Sequence, residues 1–189
     1  MRTRLTWVVL LLCVLIVPRG VWSAGAIDAT RATRLKAAFI FQMAHLTEWP
    51  HVAFDAGDDS LYIGIVGDDP HDMVGYFRDA QDLDVNGHPL QVRHYADPDQ
   101  VPTTGPMHIL FITSDTGPGA TRPGPPNVLI AGETSHFCRD GGMVGFVADG
   151  GRIRIEVNPR TLREAGLRLS AEFLQHATII ADDVTRRGE

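Results

Sequence analysis

The sequence predicts an α/β domain, a single unit with a central mixed β-sheet flanked by helices in Rossmann-like layers. Three observations carry the prediction. Residues 61–66, 107–112 and 128–131 are apolar or β-branched runs of strand length, the pattern of strands buried on both faces. The segment 35–50, L-K-A-A-F-I-F-Q-M-A-H-L-T-E-W-P, instead repeats apolar residues at helical spacing. Asn86-Gly87 and Asp149-Gly-Gly151 sit between strand patterns as hairpin turns, which adds antiparallel pairs to the parallel ones.

Ahead of the first helix, Arg2 and Arg4 precede an apolar stretch over 5–17, and a break with small residues runs to Ala26. A basic start, an apolar middle and an A-G-A ending mark a cleaved secretory leader over residues 1–26, cut after Ala24 or Ala26. The apolar stretch is shorter than the ~20 residues a spanning helix needs. Cys13 lies inside it, without the small residue that lipidation would want. The domain is then expected over 27–184, with residues 185–189 as a frayed tail. The leader holds three arginines and no acid, so its loss leaves 14 basic against 23 acidic residues, a formal charge of −9 rather than −6. That balance argues against nucleic acid or anionic lipid as the main partner.

In chain order, the first helix carries Leu35, Ala38, Phe39, Met43 and Leu46 on its apolar side, and Pro50 stops it after Trp49. Strand 61–66 runs into Gly67-Asp-Asp-Pro70. There Asp69 can cap a helix, Pro70 suits its first position and Asp72 favours its dipole. That helix shows Met73, Val74 and Phe77 and fades near Gln81. Residues 83–85 and 90–95 flank Asn86-Gly87 as a hairpin, with Pro89 placing this arm at a sheet edge. Residues 113–127, T-S-D-T-G-P-G-A-T-R-P-G-P-P-N, lack an apolar face and are too rich in Gly and Pro for a crossover helix. An exposed, mobile loop is expected there. A second hairpin joins 143–148 to 152–157, with Ile153, Ile155 and Val157 inward and Arg152, Arg154 and Glu156 outward. Asn158-Pro159 starts a short helix that Gly166 ends. Ser170 then caps a last helix with the stripe Phe173, Leu174, Ala177, Ile180, Ala181 and Val184.

After cleavage only Cys138 remains, so no intramolecular disulfide can form. A buried inert thiol is the preferred reading; a link to another chain and redox reactivity are the alternatives. The turn G-I-V-G-D-D-P over 64–70 is a poor phosphate loop, because Asp68 and Asp69 would repel an anion at the helix start. His45 with His51, His88 with His94, and His136 with Cys138 are conceivable metal pairs, but none has ligand spacing. Ser114, Ser135, Ser170 and Cys138 lack a nucleophile-elbow context. No catalytic, cofactor-binding or metal residue is therefore assigned, and no cofactor is expected. The loop 132–142, G-E-T-S-H-F-C-R-D-G-G, leaves the end of a core strand, where open α/β sheets place ligands and partners. Its Glu133, His136, Cys138, Arg139, Gly141 and Gly142, with Arg152, Arg154 and Glu156 of the hairpin, are the candidate partner-contact or regulatory residues.

Several blocks are ordinary singly and specific jointly. They are L-K-A-A-F-I-F (35–41) with E-W-P (48–50), I-G-I-V-G-D-D-P (63–70), H-I-L-F-I (108–112), G-G-M-V-G-F-V (141–147), and R-I-R-I-E-V-N (152–158) through A-G-L-R-L-S (165–170). In this order they cover essentially the whole mature chain. The sequence resembles the YfiR-type family, secreted periplasmic repressors of membrane diguanylate cyclases. The resemblance implies an α/β fold, often dimeric, without catalytic activity. It also implies a periplasmic protein that contacts the periplasmic sensor domain of an inner-membrane diguanylate cyclase or histidine kinase. Such binding would restrain the enzyme and keep cyclic di-GMP and biofilm matrix output low until redox state or envelope stress releases it. Redox-controlled members use disulfides, one near the Gly-Gly-Met block. Here Met107 stands where a cysteine often precedes the His-Ile-Leu-Phe strand, so that switch cannot operate. Two other readings remain: a small-ligand or metal carrier using the sheet-end pocket and histidines, and a hydrolase or redox enzyme using Cys138.

Overall fold

The computed structural model describes residues 28–54, 57–69, 71–79, 84–113 and 125–180. Its first element is helix α1 (Ala29–His45), capped by Asp28, whose carboxylate accepts the Thr30 N–H. The helix buries Thr33, Ala37, Ile40, Met43 and Ala44. This face is rotated from the expected stripe: Met43 belongs to both, Phe39 and Leu46 are half-buried, and Leu35 stays 39% exposed. Two apolar stripes compete on this helix, and packing against the sheet decides between them. Nor does Pro50 stop it. The helix ends before Thr47–Glu48 (β1), which pairs antiparallel with Arg168–Leu169 (β9).

The main sheet contains β2 (Leu61–Val66), β3 (Asp84–Val85), β4 (His88–Tyr95), β5 (Ile109–Ile112), β6 (Leu129–Gly132), β7 (Val144–Asp149), β8 (Arg152–Val157) and β10 (Thr178–Ile179). Their order is β10-β8-β7-β6-β5-β2-β4-β3. Strands β4, β2, β5, β6 and β7 run parallel; β3 and β8 are antiparallel to β4 and β7. The mixed α/β sheet is the architecture the sequence predicts. Both hairpins form as expected, with positive φ at Asn86 (56°) and Gly87 (92°), and at Gly150 (54°) and Gly151 (81°).

Pleating gives the sheet two unlike faces. Leu61, Ile63, Ile65, Ile109, Phe111, Leu129, Ala131, Val144, Phe146 and Ile155 share one core with α1, α2 (Met73–Arg78), α3 (Pro159–Glu164) and α4 (Ala171–Leu174). The opposite face, with Val66, Tyr95, Ile112 and Ile130, packs instead against Phe137, Val101 and Met107, which lie in loops. Among the described residues all four helices thus lie on one face.

Two further helix boundaries differ from expectation. Helix α2 starts at Met73 rather than Pro70, because Asp72 (φ 51°) is the cap and accepts the Gly75 N–H. Asp69 still serves the helix start: its carboxylate accepts the N–H groups of Met73 (2.6 Å) and Val74 (3.0 Å). The last helix is capped by Ser170 as expected but ends at Leu174. The β-branched residues that follow pair parallel with β8 instead, and the Ile180 N–H reaches the Val157 carbonyl at 2.8 Å. An open strand edge thus outcompetes a helical stripe. By contrast, α3 begins at the Asn158 cap and closes at Gly166 (φ 78°) with the Leu167 N–H on the Leu162 carbonyl, as read from the sequence. The leader, most of the Gly/Pro segment and Ala181 to the end lie outside the described residues.

Candidate functional site

The loop 133–142 leaves the carboxyl end of β6 and is built around one ring. Phe137 is 1% exposed and fills the space left by two glycines: a Cβ would meet its ring at 2.4 Å from Gly132 and at 2.2 Å from Gly142. Gly141 turns the chain with φ 102°, and the Gly142 N–H closes the loop on the Phe137 carbonyl at 2.8 Å. The adjacent Cys138 is fully buried; its Sγ lies 3.4 Å from the Glu156 carbonyl and 3.7 Å from that of Met143. Burial, reinforced by the Glu156 charge, pushes the thiol up to about 12, so it stays protonated at neutral pH. This matches the inert reading of Cys138. The fully buried Asn158 locks the other side, donating from Nδ2 to the Cys138 carbonyl at 3.1 Å while its Oδ1 caps α3.

The nine candidate residues therefore divide. Cys138 and Gly142 belong to the packed interior, and Gly141 supplies the bend. Glu133 is tied to Lys36 of α1 at 2.8 Å; burial raises its carboxyl pKa and the lysine opposes that rise. Glu156 corrects an expectation, since alternation placed it outward but it is 6% exposed. Its flank is covered because β10 pairs with it (Thr178 opposite Glu156) and Cys138 packs nearby. Arg154 bridges it at 3.2 Å and Asp149 at 2.6 Å. His136, Arg139 and Arg152 remain exposed, on the loop and at the start of β8. His136 and Cys138 do not meet as a metal or catalytic pair: the imidazole is exposed while the thiol faces carbonyls inside.

A second feature lies at the opposite, amino-terminal end of the parallel strands, and sequence reading missed it. Thr47, Trp49, His51, Phe54, Asp59, Asn86 and His88 line a cavity of about 520 Å³. Phe54 stacks on His88 (centroids 3.8 Å apart, planes 7°) and covers His108 on its other side (4.6 Å, 31°). Trp49 meets His108 edge to face at 5.5 Å and donates from its indole to the Ala44 carbonyl. Buried His108 is neutral, its pKa lowered by burial to about 4. A lone histidine inside an otherwise apolar strand run was the available signal. The other paired histidines have partners of their own: His45 bonds Asn86, and His94 donates from Nε2 to the Gly67 carbonyl at the far end of β4. Among the described residues no three His, Cys, Asp or Glu groups gather as metal ligands.

At the helix-α2 turn the protein's own Asp69 carboxylate occupies the place a phosphate would take. What the surface offers is thus a closely packed, glycine-fitted loop beside a charged hairpin, together with a histidine-lined cavity. No curated protein matches the sequence significantly. A comparison with known families matches residues 33–178 to the profile described as YfiR/HmsC-like. This match covers most of the described fold, from α1 to β10, and agrees with the blocks that first suggested it. The chain belongs to the YfiR/HmsC-like family.

Proposed function

We propose that this protein is a non-catalytic periplasmic regulator, exported by its leader. It binds the periplasmic sensor domain of an inner-membrane signalling enzyme, in the first instance a diguanylate cyclase, restrains it and lowers cyclic di-GMP output. The observation that carries this reading is the family match over residues 33–178. The strand-end loop supports it physically. Phe137 and its two glycines hold the backbone rigidly, and a preorganised surface binds without an ordering penalty. Partner contact is assigned to His136, Arg139 and Arg152, with Arg154 at the rim. Glu133, Cys138, Gly141, Gly142 and Glu156 act by holding that surface in shape.

The test is capture of the partner from native membranes with the tagged full chain, followed by mass spectrometry and a cyclic di-GMP assay in a deletion strain. Recovery of a membrane cyclase or kinase with a periplasmic domain, and raised cyclic di-GMP on deletion, are expected for a cyclase partner. Failure to capture any envelope receptor, with unchanged cyclic di-GMP, overturns the reading. The runner-up is a small-ligand carrier, favoured by the histidine-lined cavity; a thermal-shift screen of periplasmic metabolites tests it.

A further inference from the structure

His108 joins β5 to β2 in an uncommon way. The β2–β5 ladder begins at Ile63 opposite Ile109. One step earlier, the His108 N–H donates to the Tyr62 carbonyl at 3.0 Å, while the Tyr62 N–H donates to the His108 ring at Nδ1, also at 3.0 Å. A side chain thus completes a backbone ladder. Because Nδ1 accepts, the neutral ring must carry its proton on Nε2. That nitrogen is buried without a hydrogen-bond partner among the described residues; the Ala53 carbonyl, which favours the charged ring, is outside bonding geometry.

A second proton could enter only at Nδ1. It would set two donors, Nδ1–H and Tyr62 N–H, against each other and break that bond. The new charge would also be buried under Phe54, whose far face carries His88. His88 opposes a charge on His108 and is itself held by Asp59, with Nδ1 3.0 Å from Oδ1. Asp58, whose carboxylate accepts from the Tyr62 hydroxyl, favours protonation of His108. Arg93 lies over the Tyr62 ring at 4.5 Å, and His51 lines the cavity beside Asp59.

We propose that His108, Phe54 and His88 form an acid-triggered latch on the cavity. Protonation of His108 at Nδ1 releases the Tyr62 N–H, Phe54 leaves its place between the two imidazoles, and the turn 51–54 lifts from the cavity wall. The loop 133–142 keeps its shape, since it lies at the opposite, carboxyl end of the strands. The inference does not depend on the identity of the partner.

Trp49, in edge contact with His108, is the reporter. Apart from it the chain contains only Trp7 and Trp22, which are replaced by Phe in an otherwise full chain. A reversible change in Trp49 emission is expected, centred near pH 4, with far-UV circular dichroism unchanged across the same range. His108→Gln, which accepts from Tyr62 but does not titrate, abolishes the change. His88→Gln removes the opposing charge and moves the midpoint upward. A transition that survives in His108→Gln overturns the proposal, as does loss of secondary structure at the same pH. If His108→Gln fails to fold, the His108 C2–H resonance of the unsubstituted ring is titrated instead. Its midpoint must coincide with that of the emission change, and a mismatch overturns the latch.

Discussion

At the scale of single residues, three buried side chains have consequences that can be measured. Phe137 fills the space between Gly132 and Gly142, so Phe137→Ala leaves a cavity and costs about 3–5 kcal/mol, measured by urea unfolding. Gly142→Ala drives a Cβ into that ring and destabilises as well, whereas a substitution at exposed Arg139 leaves stability within about 0.5 kcal/mol. Cys138 has a thiol raised to about 12 and no exposed surface, so it resists alkylation in the native protein and reacts once denaturant unfolds the chain. Rapid native labelling would contradict its placement. His108 has a folded pKa of about 4 against an ordinary 6.5, so the unfolded chain binds more protons between those values. Its contribution to stability is fully present above pH 6.5 and is lost as pH falls toward 4, by up to roughly 3 kcal/mol. Thermal midpoints followed between pH 7 and 4, with His108→Gln showing the shallower decline, check the sign.

At the scale of elements, local chemistry was legible and competition between elements was not. Asn86-Gly87 and Gly150-Gly151 announced their turns, because only residues tolerant of positive φ suit them. Asn158 announced α3 because its side-chain oxygen can accept the free N–H groups of a helix start; Asn158→Ala removes both a cap and a buried bond to the Cys138 carbonyl and is expected to cost about 2 kcal/mol by chemical denaturation. Residues 178–180 misled, since their apolar spacing suits a helix equally well. Only the free edge of β8, invisible in the chain itself, draws them into a strand. The same edge explains Glu156, whose alternation pointed outward until β10 and Cys138 covered it. Ile180→Pro removes the N–H that donates to the Val157 carbonyl and is expected to loosen β10, read as faster amide exchange on β8.

At the scale of the whole molecule, the layered fold was legible in its buried strand runs, but its asymmetry was not. The helices gather on one face, and loops carrying Phe137, Val101 and Met107 cover the other. The candidate surface was legible as a strand-end loop, though sequence alone could not separate exposed His136, Arg139 and Arg152 from interior Cys138 and Glu156. Lys36 and the histidine cavity escaped notice because their members lie far apart in the chain and meet only through folding. The central claim is that this family member works by protein contact on a membrane signalling enzyme. Its most direct test is cyclic di-GMP in a deletion strain complemented with the unsubstituted chain or with the Arg139→Glu/Arg152→Glu variant, both confirmed folded and exported. The account predicts that deletion raises cyclic di-GMP, that the unsubstituted chain restores it, and that the charge-reversed variant does not. Equal restoration by both would contradict the assigned contact surface, and a level indifferent to deletion would contradict the regulatory role itself.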